Sequence, residues 1–142
     1  MSTAPFVIER TYHAPVDKVW DAITNPDKMR EWYFNVSDFK TDVGFEFEFT
    51  AGDDTKQYRH LCRVTKVIPG STIAYTWQYD EYPGDSEVTW ELFPDGDGTL
   101  LRLTHAGLET FPDLPSFKRE SFAGGWTHIT GISLKDYVDK ED

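Results

Sequence analysis

The sequence has little positive charge, one cysteine and no long apolar run, and each shortage excludes a class of protein. There are 14 Lys and Arg against 25 Asp and Glu, a net charge of −11, which opposes binding to nucleic acid and to anionic membrane surfaces. The single Cys62 excludes an internal disulfide framework. Because no run of about 18 apolar residues exists, we expect no membrane insertion.

Residues 1–15 contain no apolar core of a secretory signal, and charge interrupts them early, so we expect a cytoplasmic location. The 142 residues suit one domain that spans 1–142. Aromatic residues are plentiful, with 10 Phe, 7 Tyr and 5 Trp. This is more than a small core requires, which makes the rings candidates for a binding surface.

A first strand at 6–12 is followed by a pattern that predicts two short helices. Apolar residues recur at helical spacing after Pro15, which suits a first helical turn. These residues are Val16, Val19, Trp20 and Ile23. Asn25 and Pro26 restart the pattern, with Asn25 as the N-cap and Pro26 at the first helical position. Met29, Trp32 and Tyr33 then lie on the inner face of the second helix.

From residue 43 to residue 105 the apolar period changes to two. Phe45, Phe47 and Phe49 alternate with Glu46 and Glu48, which predicts a strand with one buried and one solvated face. Further strands follow, separated by short turns. The predicted strands are 43–50, 56–68, 71–79, 86–93 and 99–105. Consecutive strands with short connections predict an antiparallel meander.

The last segment, roughly 115–140, predicts a helix long enough to cover most of the sheet's apolar face. Its own inner face contains Phe122, Trp126, Ile129, Thr130, Ser133, Leu134 and Tyr137. The expected fold is therefore α+β, a helix grip. In it a curved six-stranded antiparallel sheet wraps around a long C-terminal helix, with two short helices between strands one and two.

Four blocks of the sequence support this fold by their similarity to a known family. They are HAPVDKVWDAITNPDKMREWY, RVTKVIPGSTIAYTWQY, SEVTWELFPDGDGTLLRLTHAGL and GGWTHITGISLKDYV. In order and spacing they resemble AHSA-type domains, homologues of the activator of heat shock protein 90 ATPase, in the START-like (Bet v 1-like, SRPBCC) superfamily. The resemblance extends from about Phe6 to Val138. It implies an interior cavity between sheet and helix for an apolar or aromatic molecule.

Two hydroxyl residues, Thr130 and Ser133, lie at the centre of the predicted inner face of the last helix. If the helix covers a cavity, a ligand or trapped water can satisfy these hydroxyls. In the alternative, they donate hydrogen bonds to carbonyls four residues earlier, inside an ordinary core. Gly131 between them weakens the helix by ~1 kcal/mol, which is consistent with a close approach of another element.

The cavity interpretation gives a set of pocket residues from the inner faces of the predicted strands and helices. The candidate ligand-pocket residues are Trp32, Phe47, Tyr58, His60, Tyr75, Trp77, Trp90, Leu103, His105, Trp126, Thr130, Ser133 and Tyr137. The mouth of the pocket is expected at the irregular segment 106–115, which we predict to be the most mobile part of the chain.

Metal and catalytic chemistry find little support in the sequence. His60 and Cys62 are on strand three and His105 on strand six, roughly 14 Å apart at ~4.7 Å per strand, too far to share an ion. The outward alternation of Glu46 and Glu48 gives them a solvated position rather than an acid–base role. We therefore expect no metal, no cofactor and no catalytic residue.

Three functions stay open at this point. We expect a non-enzymatic binding protein for a small apolar or aromatic molecule of lipid-like or polyketide-like kind. The first alternative is a cyclase- or aromatase-like enzyme in which Tyr75 or Tyr79 acts with His105 in proton transfer. The second is a chaperone-interaction module that uses the outer surface.

Overall fold

The computed structural model describes residues 5–33, 36–52, 57–80, 82–112, 117 and 119–139. Within these ranges a six-stranded sheet and a long C-terminal helix enclose the core, and two short helices lie between the first two strands. The α+β helix-grip fold is confirmed.

Strand β1 spans Phe6–Tyr12, the range that the sequence predicts. Helix α1 spans Val16–Thr24 and helix α2 spans Pro26–Trp32. The predicted cap is present, since the Asn25 side chain accepts a hydrogen bond from the Asp27 amide at 3.0 Å. Pro15 is the residue before α1 rather than its first helical residue, which fits its extended ψ of 162°.

The five later strands form hairpins along the chain, as the period-two alternation predicts. They are β2 (Glu46–Gly52), β3 (Gln57–Ile68), β4 (Thr72–Tyr79), β5 (Ser86–Asp95) and β6 (Gly98–Ala106). The sheet order is β1-β6-β5-β4-β3-β2, antiparallel throughout. Strands β3 and β6 are therefore separated by two others, as expected. A shift of register in β3 between Val64 and Lys66 interrupts its pairing with β4.

The C-terminal helix, residues 119–139, contains a π turn that the apolar pattern does not predict. Its α-helical parts are α3 (Arg119–His128) and α4 (Leu134–Asp139), with the π turn at Ile129–Ser133 between them. The Leu134 amide donates to the Ile129 carbonyl, five residues earlier. The predicted residues 115, 116, 118 and 140 lie outside the described residues.

The π turn changes which residues face the sheet. The buried positions are Phe122, Trp126, Thr130, Leu134 and Val138, spaced by four. In a straight α-helix such a series drifts by about 40° per step, and the wider turn corrects the drift. Ile129 and Tyr137, also predicted on this face, pack against the core. Ser133, predicted at its centre, is only half-buried. That part of the helix-face prediction is wrong, because it assumed an uninterrupted α-helix.

Hydrogen bonds join the end of strand β1 and the residue after it to the C-terminal helix. The Tyr12 hydroxyl donates to the Thr130 carbonyl at 2.7 Å, and the His13 amide donates to the Asp139 carboxylate at 2.9 Å. A Cβ on Gly131 would lie 3.1 Å from Nε of Arg10. The close approach expected at this glycine is therefore the Arg10 side chain.

The segment after β6 packs against the sheet through one short 3₁₀ turn, Leu108–Thr110. Gly107 before it has φ 88°, and a Cβ there would lie 2.6 Å from the Asp85 carbonyl oxygen, so glycine is required. The Asp85 amide donates to the Thr110 hydroxyl at 2.8 Å. Mobility of 106–115 stays a prediction, and residues 113–115 lie outside the described residues.

Candidate functional site

The space between the sheet and the C-terminal helix is filled by aromatic rings. Alternation along the strands turns every second side chain inward, and most of these inward residues in β2, β4 and β5 are aromatic. They are Phe47, Phe49, Tyr75, Trp77, Tyr79 and Trp90. Trp126 from α3 meets Trp77 at 5.3 Å and Trp90 at 5.8 Å between ring centroids. The inner face is thus an aromatic surface contacted by the helix.

A chain of hydrogen bonds runs through the middle of this aromatic interior. Trp90 Nε1 donates to the Tyr75 hydroxyl at 2.9 Å, and that hydroxyl lies 3.0 Å from the hydroxyl of Tyr33. Tyr33 comes directly after α2, so this chain joins two strands to the α2 end. Burial raises the pKa of both phenols well above the usual value. Both are therefore neutral hydrogen-bonding groups near pH 7.

A second chain joins the C-terminal helix to the sheet through His105. Trp126 Nε1 donates to His105 Nδ1 at 3.0 Å, and His105 Nε2 lies 2.8 Å from the Ser86 hydroxyl. The Ser86 hydroxyl donates to the Trp77 carbonyl at 2.7 Å. Since Nδ1 accepts and Ser86 has used its proton, His105 carries its hydrogen on Nε2. Burial lowers the pKa of His105 to about 3, which matches a neutral ring.

A third group of rings lies at the β3 end of the interior. His60 stacks on Phe49 at 4.4 Å, and its Nδ1 lies 3.0 Å from the Tyr58 carbonyl. Burial lowers the pKa of His60 to about 4. Tyr58 contacts Tyr79 at 5.7 Å and Tyr82 at 5.6 Å, and both Tyr58 and Tyr82 are half-buried. At this end the aromatic interior reaches the surface.

The hydroxyls of Thr130 and Ser133 have different surroundings. Thr130 is fully buried and its hydroxyl donates to the Trp126 carbonyl, four residues earlier, at 2.7 Å. This is the back-bonded alternative that the sequence left open. Ser133 lies with Trp32 and Tyr137 at a surface depression of about 270 Å³, where the Tyr137 hydroxyl donates to Glu31.

The structure brings most of the predicted pocket residues together and separates one. Twelve lie in or against one core between the sheet and the helices. They are Trp32, Phe47, Tyr58, His60, Tyr75, Trp77, Trp90, Leu103, His105, Trp126, Thr130 and Tyr137. Ser133 lies instead at the surface depression beside α2, where the Tyr137 hydroxyl meets Glu31. Whether the twelve contact a ligand stays a prediction.

Several residues of this interior are absent from the predicted pocket. Phe49 and Tyr79 share the alternation of Phe47 and Tyr75, so the period-two pattern contained their signal. Tyr33 was placed on an inner face but not in the pocket, and Ser86 carried no signal because its partners are distant in sequence. The Tyr–His pair of the enzyme alternative is not formed, since Tyr79 accepts from Trp77 and His105 has Ser86 and Trp126.

The outer face of the sheet is polar and charged. Glu46 is exposed and Glu48 pairs with Arg59, which confirms their predicted solvated position. A furrow of about 470 Å³ crosses β2, β3 and β4 on this side, lined in part by Arg63, Thr76 and Gln78. Its lining contrasts with the aromatic interior on the other face.

Two further features bear on the class of the protein. Within the described ranges, no group of three or more His, Cys, Asp or Glu is placed to hold a metal ion. The helices of the same ranges are all too short or too polar to cross a membrane.

Comparisons with known proteins agree with this architecture. The family model described as "Activator of Hsp90 ATPase homolog 1-like protein" matches residues 13–139. Protein MLL2253 from Mesorhizobium loti is 30% identical, with a TM-score of 0.76, covering 97% of this chain and 98% of that one. CalU16 from Micromonospora echinospora is 27% identical, with a TM-score of 0.68, covering 94% and 77%.

DynU16, a protein in the dynemicin biosynthetic locus, shows the same fold at 22% identity. Its TM-score is 0.80, and the match covers 98% of this chain and 48% of DynU16. No curated protein matches the chain in sequence. The family model spans most of the chain. The chain therefore belongs to the family of Activator of Hsp90 ATPase homolog 1-like proteins.

Proposed function

We propose that this chain is a non-enzymatic binding protein for a small, uncharged apolar or aromatic molecule, held between the sheet and the C-terminal helix. The ligand is of lipid-like or polyketide-like size and makes ring contacts with the inner face of β4 and with Trp126. DynU16, which has the same fold, belongs to a biosynthetic locus, and this is consistent with such a ligand.

The observation that carries the proposal is the aromatic and uncharged character of the interior. The buried polar residues of the described chain are His60, Thr72, Ser86, Thr99, His105 and Thr130, with no Asp, Glu, Lys or Arg among them. Rings offer large contact areas, and their N–H and O–H groups orient a ligand. A charged ligand group would lose its hydration here without gaining an ionic partner. The interior therefore favours neutral aromatic molecules.

The burial of the titratable side chains in the interior supports binding over catalysis. A general acid or base works best with a pKa near the working pH. Burial lowers the pKa of His60 to about 4 and of His105 to about 3, and it raises the pKa of the Cys62 thiol. The cyclase-like alternative needs one of these groups to titrate near pH 7 after a ligand binds. The chaperone-module alternative is supported by the family description alone.

The test is a titration of the unaltered chain with 2-naphthol, anthraquinone and palmitate at pH 7. We expect the two neutral aromatics to quench tryptophan emission and to shift amide NMR signals of β4 and residues 119–139. Palmitate should bind at least about tenfold more weakly, because its carboxylate finds no buried partner. Unchanged emission and unchanged amide shifts up to about 1 mM 2-naphthol would contradict the proposal.

Two tryptophan variants provide the matched control. Trp77→Phe replaces an interior indole by a phenyl ring, and Trp20→Phe does the same for a half-buried indole of α1. The emission response to 2-naphthol should fall strongly in W77F and persist in W20F. The opposite result would place the ligand outside the sheet–helix interior.

A further inference from the structure

Tyr33 occupies a position that resembles that of a bound ligand. Its ring lies edge-on to Trp90 at 5.9 Å and 86°, and faces Trp126 at 6.4 Å and 21°. Phe49 and Trp32 complete the surroundings at 6.0 Å and 5.0 Å. These distances and angles are within the range of favourable aromatic pairs. Four other rings therefore form a cradle around the ring of Tyr33.

The side chain of Tyr33 differs from the rings around it in how it is held. Phe49 and Trp90 belong to strands, and Trp126 to the C-terminal helix, all with 3% exposure or less. Tyr33 lies just beyond the last residue of α2, with φ −111° and ψ −115°, outside helical geometry. As a whole residue it is half-buried, although its hydroxyl lies against the buried Tyr75. Tyr33 thus lies between the deeper rings and solvent, and it belongs to neither a strand nor a helix.

We infer that the space filled by the Tyr33 ring is a binding place for a hydroxyarene, a planar aromatic ring bearing a hydroxyl group, and that Tyr33 occupies it when no ligand is bound. The inference rests on the proposed function and names the ligand class and the subsite. It assigns Tyr33 the role of an internal competitor for the ligand.

The hydrogen bonding of Tyr75 specifies the hydroxyl group of the ligand. The Tyr75 hydroxyl accepts from Trp90 Nε1 at 2.9 Å and makes its second hydrogen bond with the Tyr33 hydroxyl at 3.0 Å. A ligand that displaces the Tyr33 ring must offer a hydroxyl at the same place, or Tyr75 keeps a buried hydroxyl with one partner fewer. An arene without a hydroxyl fills the cradle but loses this bond.

The decisive experiment uses p-cresol, which reproduces the tyrosine side chain, with the variant Tyr33→Ala. The substitution empties the cradle, so p-cresol should bind Y33A and raise its Tm by about 5 °C at ten times its Kd. Toluene, which lacks the hydroxyl, should bind about tenfold more weakly. The unaltered chain should show a far smaller response to p-cresol, because its own Tyr33 competes.

Tyr137→Ala is the matched control, since Tyr137 is also a half-buried tyrosine, with its hydroxyl at the outer depression. Y137A should respond to p-cresol as the unaltered chain does. An equal rise in Tm for Y33A and Y137A, or no rise for a folded Y33A, would overturn the inference.

Tyr33→Phe decides the question if Y33A does not fold. It keeps the ring and removes the hydroxyl, so residue 33 competes less well and 2-naphthol should bind Y33F about fivefold to tenfold more tightly than the unaltered chain. Equal affinity would overturn the inference. The two proposals can fail separately. If the unaltered chain binds a ligand but Y33A does not bind p-cresol, the subsite is refuted and the proposed function is not. If Y33A binds p-cresol but the unaltered chain binds no ligand, the proposed function is refuted and the subsite is not.

Discussion

The inner and outer faces of the same sheet satisfy their polar groups in different ways. On the inner face, indole and phenol groups bond to one another away from water, as Trp126 does to His105 at 3.0 Å. On the outer face, the ion pair of Arg102 with Glu9 at 2.8 Å remains more than 40% exposed. Water replaces a lost partner outside but not inside. The inner groups therefore fix a unique arrangement of rings, while the outer groups can change at small cost.

The largest expected effect on stability comes from lowering the pH, and it arises on the inner face. Burial holds the folded-state pKa of His60 near 4 and of His105 near 3, below the usual 6.5. As pH falls below about 6.5, the unfolded chain takes up protons that the folded chain does not, so stability is lost. At pH 5 the loss relative to pH 7 is about 2 kcal/mol for each histidine. Urea unfolding at several pH values measures it.

His105→Gln separates the share of His105 from the rest of the pH dependence. The variant removes one titrating group, so the change in unfolding free energy between pH 7 and pH 5 should shrink by about 2 kcal/mol. An identical change in H105Q and the unaltered chain would mean that the pKa of His105 is the same in the folded and the unfolded chain.

A smaller effect is expected from the two hydroxyl residues of the C-terminal helix. Thr130 has no exposed surface, so Thr130→Leu overpacks its surroundings and should lower the free energy of unfolding by about 1–3 kcal/mol. Ser133 is half-buried at a depression, so Ser133→Leu should stay within about 0.5 kcal/mol. Thermal unfolding of the two single variants measures the difference. Full stability of T130L would indicate unfilled space beside Thr130 and favour the cavity interpretation.

Two glycines of the C-terminal helix are expected to differ more modestly in how an added methyl group changes the free energy of unfolding. Nothing lies within 4 Å of a Cβ on Gly124, so Gly124→Ala should stabilise the chain by about 0.5–1 kcal/mol through helix propensity. Gly131→Ala should gain less, because Arg10 Nε lies 3.1 Å from the new Cβ and must move. Urea melts of G124A and G131A test this order, and a larger gain for G131A would contradict it.

The smallest effect is expected on the outer face. Glu9→Gln removes the ion pair with Arg102 where both side chains are more than 40% exposed, so the loss should be below about 1 kcal/mol. It should shrink further at 1 M salt, where screening is strong. A loss as large as that of T130L would show that the two faces do not differ as described.

Local patterns predicted most of the fold. The alternation around Phe47 and the cap at Asn25 depend on neighbouring residues, and both are found as expected. The π turn has no comparable signature, because only the packing of Trp126 and Leu134 onto one sheet requires it. For that reason the sequence placed Ser133 too centrally.

The candidate site was less predictable because its contacts are long-range. Tyr33 lies 42 residues from Tyr75 and Trp126 lies 21 residues from His105. Periodicity gives the face on which a ring lies but not the ring that it meets. Tyr33 also follows the end of α2, where neither the helical nor the strand period applies. Its position between sheet and helix follows from tertiary packing alone.

The π turn also affects how the chain tolerates a change of length. If one residue is deleted between Ile129 and Ser133, Trp126 and Leu134 become seven positions apart, roughly 700° of α-helix and about 20° short of two full turns. Both side chains then still face the sheet. Ile132 is 52% exposed, so its deletion removes little packing. In α1 the same deletion rotates all following residues by about 100°. The C-terminal helix can therefore be shortened by one residue where α1 cannot.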